Sequence, residues 1–273
     1  MSHDPFIVAT AIEIVLRAGR MQLARVGDTL RIDKKSPIDL VTDADVVVER
    51  MFRGIIEERF PEHAVLAEEL GEREGAGASA SYRWVFDPID GTTNYAHGLP
   101  FFCSSLALEV DGRAEVGAVY EPIRRELFVA ERGEGAFLNG APLRVSRATE
   151  LLDSLLCTGF PYDVHENREA LVGLFGYFLG RTRAVRRLGS AALDLCYVAA
   201  GRLDGFWEQR LNPWDISAGS LIVEEAGGRV TGLAGEPFTS ASGRIVASNE
   251  RIHGAMVQAI LQFGRERSRN ETN

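Results

Sequence analysis

The sequence predicts a mixed α/β protein in two halves: helices packed on an antiparallel sheet, then an α/β half. Three observations predict it. Two amphipathic helix patterns open the chain. Residues 83 to 138 then carry short apolar runs broken by turn signals, and from about residue 146 strand and helix patterns alternate. The join falls near 140–150, in "NGAPLRVSRATE", dividing the chain into 1–145 and 146–273.

In the first half, Ile7, Ala11, Ile14, Val15 and Ala18 recur at helical spacing and predict a helix over 4–26. Val47, Val48, Met51, Phe52, Ile55 and Ile56 mark a second over 43–60, with Thr42 and Asp45 as a capping box and Pro61 as its stop. "AVLAEE" reads as a short strand, and "GEREGAGASAS" after it as a mobile loop. The strands that follow are "YRWVFD", "FCSSLALEV", "RAEVGAVYEP", "RELFVAER" and "GAFLN". "EVDGRAE" is the clearest hairpin, because Asp-Gly supplies the positive φ that a tight turn needs.

In the second half the strands are "DSLLCTGF", "RAVRRLG", "LDGFWEQ" and "GRIVASN". Helices are expected at 165–179, 190–200, 213–226 and 249–266. No internal repeat interrupts this order.

Composition narrows the function classes. With 45% hydrophobic and 25% charged residues, the 273-residue chain has an ordinary globular balance and length enough for a large core. A net charge of −9 works against direct nucleic-acid binding, which draws its affinity from basic surface. Cys103, Cys157 and Cys196 are odd in number and far apart, which argues against a disulfide framework or a zinc site and suits a reducing cytoplasm. Asp4, Glu13 and Arg17 interrupt the first apolar residues, so no signal peptide is expected, and no apolar run is long enough for a membrane span.

The informative segment is "WVFDPIDGTTNYAHGLPFF". Asp87 ends an apolar strand, Pro88 stiffens the turn, and Asp90 precedes Gly91, which tolerates φ values that other residues avoid. Two carboxylates about 4 Å apart repel by about 1 kcal/mol in water and about 4 kcal/mol at an effective dielectric of 20. Either each caps a turn, or protonation or a cation relieves the repulsion. Glu68 stands just past another apolar strand, and Asp215 lies in "NPWDISAGS" at a helix start marked by Pro213. Taken singly, Glu68 is a solvated strand-end charge and Asp215 a first-turn acid. Taken together the four offer only oxygen donors, which suits a hard cation such as Mg²⁺.

The segments "FDPIDGTTNYAHGLPFF" and "PWDISAGSLIVEEAGG" resemble the two signatures of the inositol monophosphatase family, the lithium-sensitive, Mg²⁺-dependent sugar and polyol phosphate phosphatases. "KKSPIDLVTDAD", "AEE" and "RRLGSAALDLCYVAAG" are similar to its other segments, in the same order, from about residue 10 to 265. The resemblance implies the layered αβαβα sugar-phosphatase fold and a cytoplasmic homodimer acting on a small phosphorylated polyol or sugar. It also implies two to three Mg²⁺ per subunit and inhibition by Li⁺. Glu68, Asp87 and the Ile89 carbonyl would hold a first ion, Asp87, Asp90 and Asp215 a second, and Glu68 a weaker third. Thr92, oriented by Asp45, would position the attacking water. Gly91 and Thr92 amides, with Gly189, Ser190 and Ala191 at a helix start, would receive the substrate, and Glu208 would reach a ring hydroxyl. Departures are "AEEL" in place of Gly-Glu-Glu-Ser/Thr, the choice between Lys34 and Lys35 near the weaker ion, and the pair Asp43 and Asp45 at the start of the second helix, either of which could be only a cap, with Asp45 preferred for its offset to Glu68.

Within the family, fructose-1,6-bisphosphatase, histidinol-phosphate phosphatase and adenosine 3′,5′-bisphosphate phosphatase are the alternatives. From another class comes a partner-binding regulator, since some bacterial relatives contact the transcription machinery. A degenerate regulator would be expected to lose one of Glu68, Asp87, Asp90, Thr92 or Asp215, and all five are present. A calcium-binding module has no suitable loop here. His3, His63, His97, His165 and His253 form no metal spacing and read as surface or turn residues, and Trp214 as a packing anchor. "RTRAVRRLG" is a basic run that faces either a phosphate-bearing substrate or solvent and a neighbouring subunit.

Overall fold

The computed structural model describes residues 4–26, 32–34, 40–76, 82–161 and 163–271. The first half begins with α1 (Pro5–Leu23), β1 (Ile32–Lys34), β2 (Leu40–Thr42), α2 (Asp43–Arg59), β3 (Ala64–Ala67) and β4 (Gly71–Arg73). It continues with β5 (Tyr82–Asp90), α3 (Thr92–Ala96), β6 (Cys103–Val110), β7 (Arg113–Glu121), β8 (Glu126–Glu131), β9 (Gly135–Leu138) and β10 (Ala141–Pro142). The second half holds β11 (Leu155–Thr158), α4 (Val164–Leu179), β12 (Ala184–Arg186), α5 (Ala191–Ala199) and β13 (Gly205–Gln209). It ends with α6 (Pro213–Glu225), β14 (Gly228–Thr231), β15 (Arg244–Asn249) and α7 (Glu250–Glu271).

Strand periodicity explains the layering. The eight-stranded sheet runs β10-β9-β8-β7-β6-β5-β3-β4. Trp84, Phe86, Leu106, Leu108, Val116 and Ala118 face α1 and α2, while Val85, Cys103, Ala107, Val119 and Phe128 on alternate positions face α5 and α6. Both faces are apolar because both are covered. The five-stranded sheet runs β12-β11-β13-β15-β14. Cys157, Phe206, Ile245 and Ala247 face α5 and α6 from the other side, and Leu156, Trp207 and Val246 meet Phe178 of α4 and Ile252 and Met256 of α7. The layers are therefore α1/α2, sheet, α5/α6, sheet, α4/α7, the αβαβα arrangement expected from the sequence.

The main helices and the Asp111-Gly112 hairpin stand where the periodicity puts them, both turn residues having positive φ (50° and 78°). Differences concern short elements. Gly71–Arg73, inside the expected loop, is a strand paired with β3, held by Arg53 Nη2 donating to the Gly71 carbonyl at 2.5 Å and Arg73 Nη2 to that of His63 at 3.3 Å. Residues 77–81 of that loop lie outside the described residues. β1, β2, β14 and α3, of three to five residues, were too short for a periodic signal. β5 runs past Asp87 to Asp90 through a register irregularity.

Two histidines correct the surface reading. His253 is buried, with ring nitrogens 2.9 Å from Thr231 Oγ1 and 2.9 Å from Ser248 Oγ. His63 stacks on Phe60 and Tyr82 and accepts the Trp84 indole N–H at 3.0 Å. Among the described residues, no helix is long and apolar enough to cross a membrane.

Candidate active site

The segment "DPIDGTT" ends β5 where the first sheet meets the middle helices. Proline 88 has no N–H, and its carbonyl is held twice, by Gln22 Nε2 at 2.8 Å and Ser104 Oγ at 2.9 Å. The Ile89 N–H donates to Asp87 Oδ1 at 2.9 Å, and Thr92 Oγ1 donates to the Ile89 carbonyl at 2.9 Å. Gly91 has φ 94°, and a Cβ there would stand 3.0 Å from the Phe101 carbonyl oxygen and 3.2 Å from that of Gly189. Only glycine combines that conformation with that approach.

Two helix N-termini close the site. Asp90 Oδ2 accepts from Ser190 Oγ at 2.6 Å and from the Ala192 N–H at 2.7 Å, at the start of α5. The helix start expected to face a substrate anion thus already receives a protein carboxylate, through the Ser190 hydroxyl and the Ala192 amide, which helix dipoles favour equally. Asp215, in the first turn of α6, accepts the Asn212 N–H at 2.6 Å and forms a capping box with it. Asp87, Asp90 and Asp215 bring carboxylate oxygens within 4.8 Å of one another.

Burial and mutual repulsion mark this cluster. Burial, then the charges of Glu68 and Asp90, push Asp87 well above the usual carboxylate range. Burial raises Asp90 to about 6, against the pull of its Ser190 and Ala192 hydrogen bonds. Asp215 is pushed well up by burial, then by Asp90 and Glu68. A multivalent cation would remove this cost, and three convergent hard oxygen donors fit one. The cluster could hold a metal ion.

The remaining expected residues are gathered around it. Glu68, Ile89, Gly91, Thr92, Gly189, Ser190, Ala191 and Glu208 line the same cavity of about 110 Å³ as the three aspartates, and Trp214 lines it too. Asp45 does not orient Thr92 by hydrogen bond: its Oδ2 accepts from the Thr42 N–H and hydroxyl at 2.7 and 2.6 Å, while the Thr92 proton goes to Ile89. Asp45 Oδ1 is buried without a partner, and burial raises Asp45 to about 7. Lys35 and the Lys34 side chain lie outside the described residues.

Sequence reasoning missed three residues, Glu49, Asp194 and Gly159, and met a fourth, Arg187, only as part of the basic run. Glu49 is buried in α2 and accepts the Glu69 and Leu70 amides at 2.8 and 3.0 Å, fixing the turn that carries Glu68. Its apolar neighbours hid it, since helical periodicity places it on the buried face without giving it a task. Asp194, inside "GSAALDL", is buried against the cavity with Oδ1 unpartnered. Gly159 makes room for the Glu208 carboxyl, whose Oε2 would lie 2.0 Å from a Cβ at 159. Arg187 lines the cavity beside Gly189.

Five layers with a carboxylate cluster where the first sheet meets the middle helices define an inositol monophosphatase fold. The inositol monophosphatase of Anabaena superposes with TM-score 0.85 at 41% identity, covering 94% of this chain and 96% of that one. The Bartonella henselae extragenic suppressor protein SuhB does so with TM-score 0.87 at 38% identity, covering 93% and 98%. The sequence pattern of the inositol monophosphatase family matches residues 5–265, and the chain belongs to that family. An inositol-1-monophosphatase of Synechocystis is 44% identical over 251 residues, 92% of this chain and 87% of that protein. The Nus factor SuhB of Pseudomonas aeruginosa is 43% identical over 235 residues, 85% and 87%.

Proposed function

We propose that this protein is a Mg²⁺-dependent phosphomonoesterase that hydrolyses inositol monophosphate or a similar polyol or sugar phosphate. The convergence of Asp87, Asp90 and Asp215 within 4.8 Å carries the reading. In it, Glu68, Asp87, the Ile89 carbonyl, Asp90 and Asp215 hold two to three Mg²⁺. Bound there, the ions supply charge neutralisation for the phosphate and Lewis-acid activation of water. The protein's own part is placement. Gly91 and Thr92 offer amides to a phosphate oxygen. Thr92 Oγ1, anchored on Ile89, positions the attacking water, and Gly189, Ser190 and Ala191 bound the leaving-group side. Glu208, raised to about 8 chiefly by burial, is a carboxylic acid at neutral pH and donates to a ring hydroxyl. Asp45 acts from behind: its Oδ1 is buried without a partner, and the charges of Glu69 and Glu68 add to the burial that raises it.

The same reading makes the protein a cytoplasmic homodimer inhibited by Li⁺, without direct nucleic-acid contact. The test is phosphate release, with Mg²⁺ and with chelator, from inositol 1-phosphate, fructose 1,6-bisphosphate, histidinol phosphate and adenosine 3′,5′-bisphosphate. Mg²⁺-dependent turnover of one supports the reading and names the substrate. Silence across the panel favours the second reading, a partner-binding regulator, which the Nus factor name of several relatives motivates.

A further inference from the structure

The basic run "RTRAVRRLG" supplies four arginines, and three are committed elsewhere. Arg181 lies over the Tyr177 ring, 3.5 Å from its centroid. Arg183 pairs with Asp153 at 3.0 Å, and Arg186 Nη1 donates to the Val185 carbonyl at 3.3 Å. Arg187 alone of the four lines the candidate active-site cavity, and among the described residues it makes no hydrogen bond or ion pair. Its guanidinium lies over Gly189, where a Cβ would come 2.7 Å from Nη1. Arg210, the other arginine on this cavity, is held by Asp163.

The charge balance at that end follows from burial. Glu208 is pushed up to about 8 and Asp194 well above its usual range, both chiefly by desolvation. Burial thus works against charge on both carboxyls, and the Arg187 guanidinium, close enough to pull both back down, stands beside them. A cavity-lining guanidinium held by no hydrogen bond or ion pair among the described residues is a site for an oxyanion, which arginine binds through two parallel N–H bonds.

We propose that Arg187 receives a second anionic group on the substrate, so that the preferred ester is a polyol or sugar phosphate bearing a further phosphate or carboxylate. This rests on the phosphatase reading and narrows its substrate class.

The test compares matched pairs on the full-length protein with Mg²⁺: glycerol 2-phosphate against 2-phosphoglycerate, and fructose 1-phosphate against fructose 1,6-bisphosphate. The first pair adds a carboxylate, the second a phosphate. Wild type is expected to favour the more anionic member of at least one pair about tenfold in kcat/KM, mainly through KM. Arg187→Gln brings that ratio close to one, and Arg187→Lys restores part of it. If Arg187 only balances the charge of Asp194 and Glu208, the Gln variant changes both members by one factor and keeps the ratio, which overturns the proposal. Absence of preference in wild type overturns it as well. If neither these four esters nor inositol 1-phosphate turns over, the phosphatase reading is struck. The subsite is then judged by the same ratio in calorimetric dissociation constants for 2-phosphoglycerate and glycerol 2-phosphate.

Discussion

Ser190 Oγ donates to Asp90 Oδ2 at 2.6 Å, joining residues 100 positions apart. The bond ties the end of β5 to the start of α5, and the Ala192 amide strengthens it at 2.7 Å. Asp90 is thus oriented by the middle helix layer before any cation arrives, so the geometry of the cluster depends on how α5 and α6 sit on the first sheet.

Ser190→Ala removes one of these two donors and leaves the other. Residues that orient a metal-binding carboxylate typically change metal affinity 10–100-fold. The half-saturating Mg²⁺ concentration for phosphate release is expected to rise about tenfold. Loss of the helix cap should also cost about 1 kcal/mol of stability. An unchanged Mg²⁺ titration with a lowered melting temperature would show that Ser190 acts only as a cap.

Asp90→Asn keeps the shape and removes the charge. With Asp87 and Asp215 within 4.8 Å, that relieves repulsion in the metal-free protein. The metal-free melting temperature should hold or rise, while kcat falls by more than about a hundredfold. Mg²⁺ should raise the melting temperature of wild type and not of the variant, because a ligand stabilises only the state that binds it. Near-normal turnover in the variant would refute the role of Asp90.

How much of this was legible in the sequence depended on the range of the signal. The long helices and the alternating strands β5 to β8 announce themselves because each buries a periodic face. The acids of "DPIDGT" stood out because adjacent carboxylates are costly without a reason. Glu49 and Asp194 were hidden, and Arg187 was one of four arginines in a run, since their tasks arise from neighbours brought together only by the fold: the Glu69 and Leu70 amides, the cavity wall, and Gly189. Asp45 was read as orienting Thr92, yet the local capping geometry claims its Oδ2 for Thr42.

His253 sets an acid limit on stability. Burial, then the charge of Arg229, lowers its pKa to about 4 from the model-peptide value of about 6.5. The folded state therefore refuses a proton that the unfolded chain accepts, so this contribution is full above about pH 6.5 and is lost as pH falls towards 4. Between pH 7 and pH 5 the loss is about 2 kcal/mol. The raised aspartates of the cluster work in the opposite sense, so the comparison needs a variant. In His253→Asn, which cannot titrate, the urea-derived stability should fall about 2 kcal/mol less over that interval than in wild type. Equal falls would mean that His253 is protonated in the folded protein.

Gly219 tests whether the spacing of the middle layer governs the site. It lies in α6 one turn after Asp215, and a Cβ there would meet Leu195 of α5, 2.7 Å from its Cβ and 2.6 Å from Cδ1. Leu195 is fully buried, so it cannot swing aside, and the two helices must part by a fraction of an ångström. Overpacking of this kind costs about 1–3 kcal/mol. The displacement has a second effect, because α5 carries the donors to Asp90 and α6 carries Asp215. Gly219→Ala is therefore expected to lower both the melting temperature and the apparent Mg²⁺ affinity, the latter about tenfold. Leu195→Ala added to it should restore room and recover the affinity, although the smaller side chain does not restore full stability. If the double variant binds Mg²⁺ no better than Gly219→Ala alone, the separation of α5 and α6 does not set the geometry of the cluster.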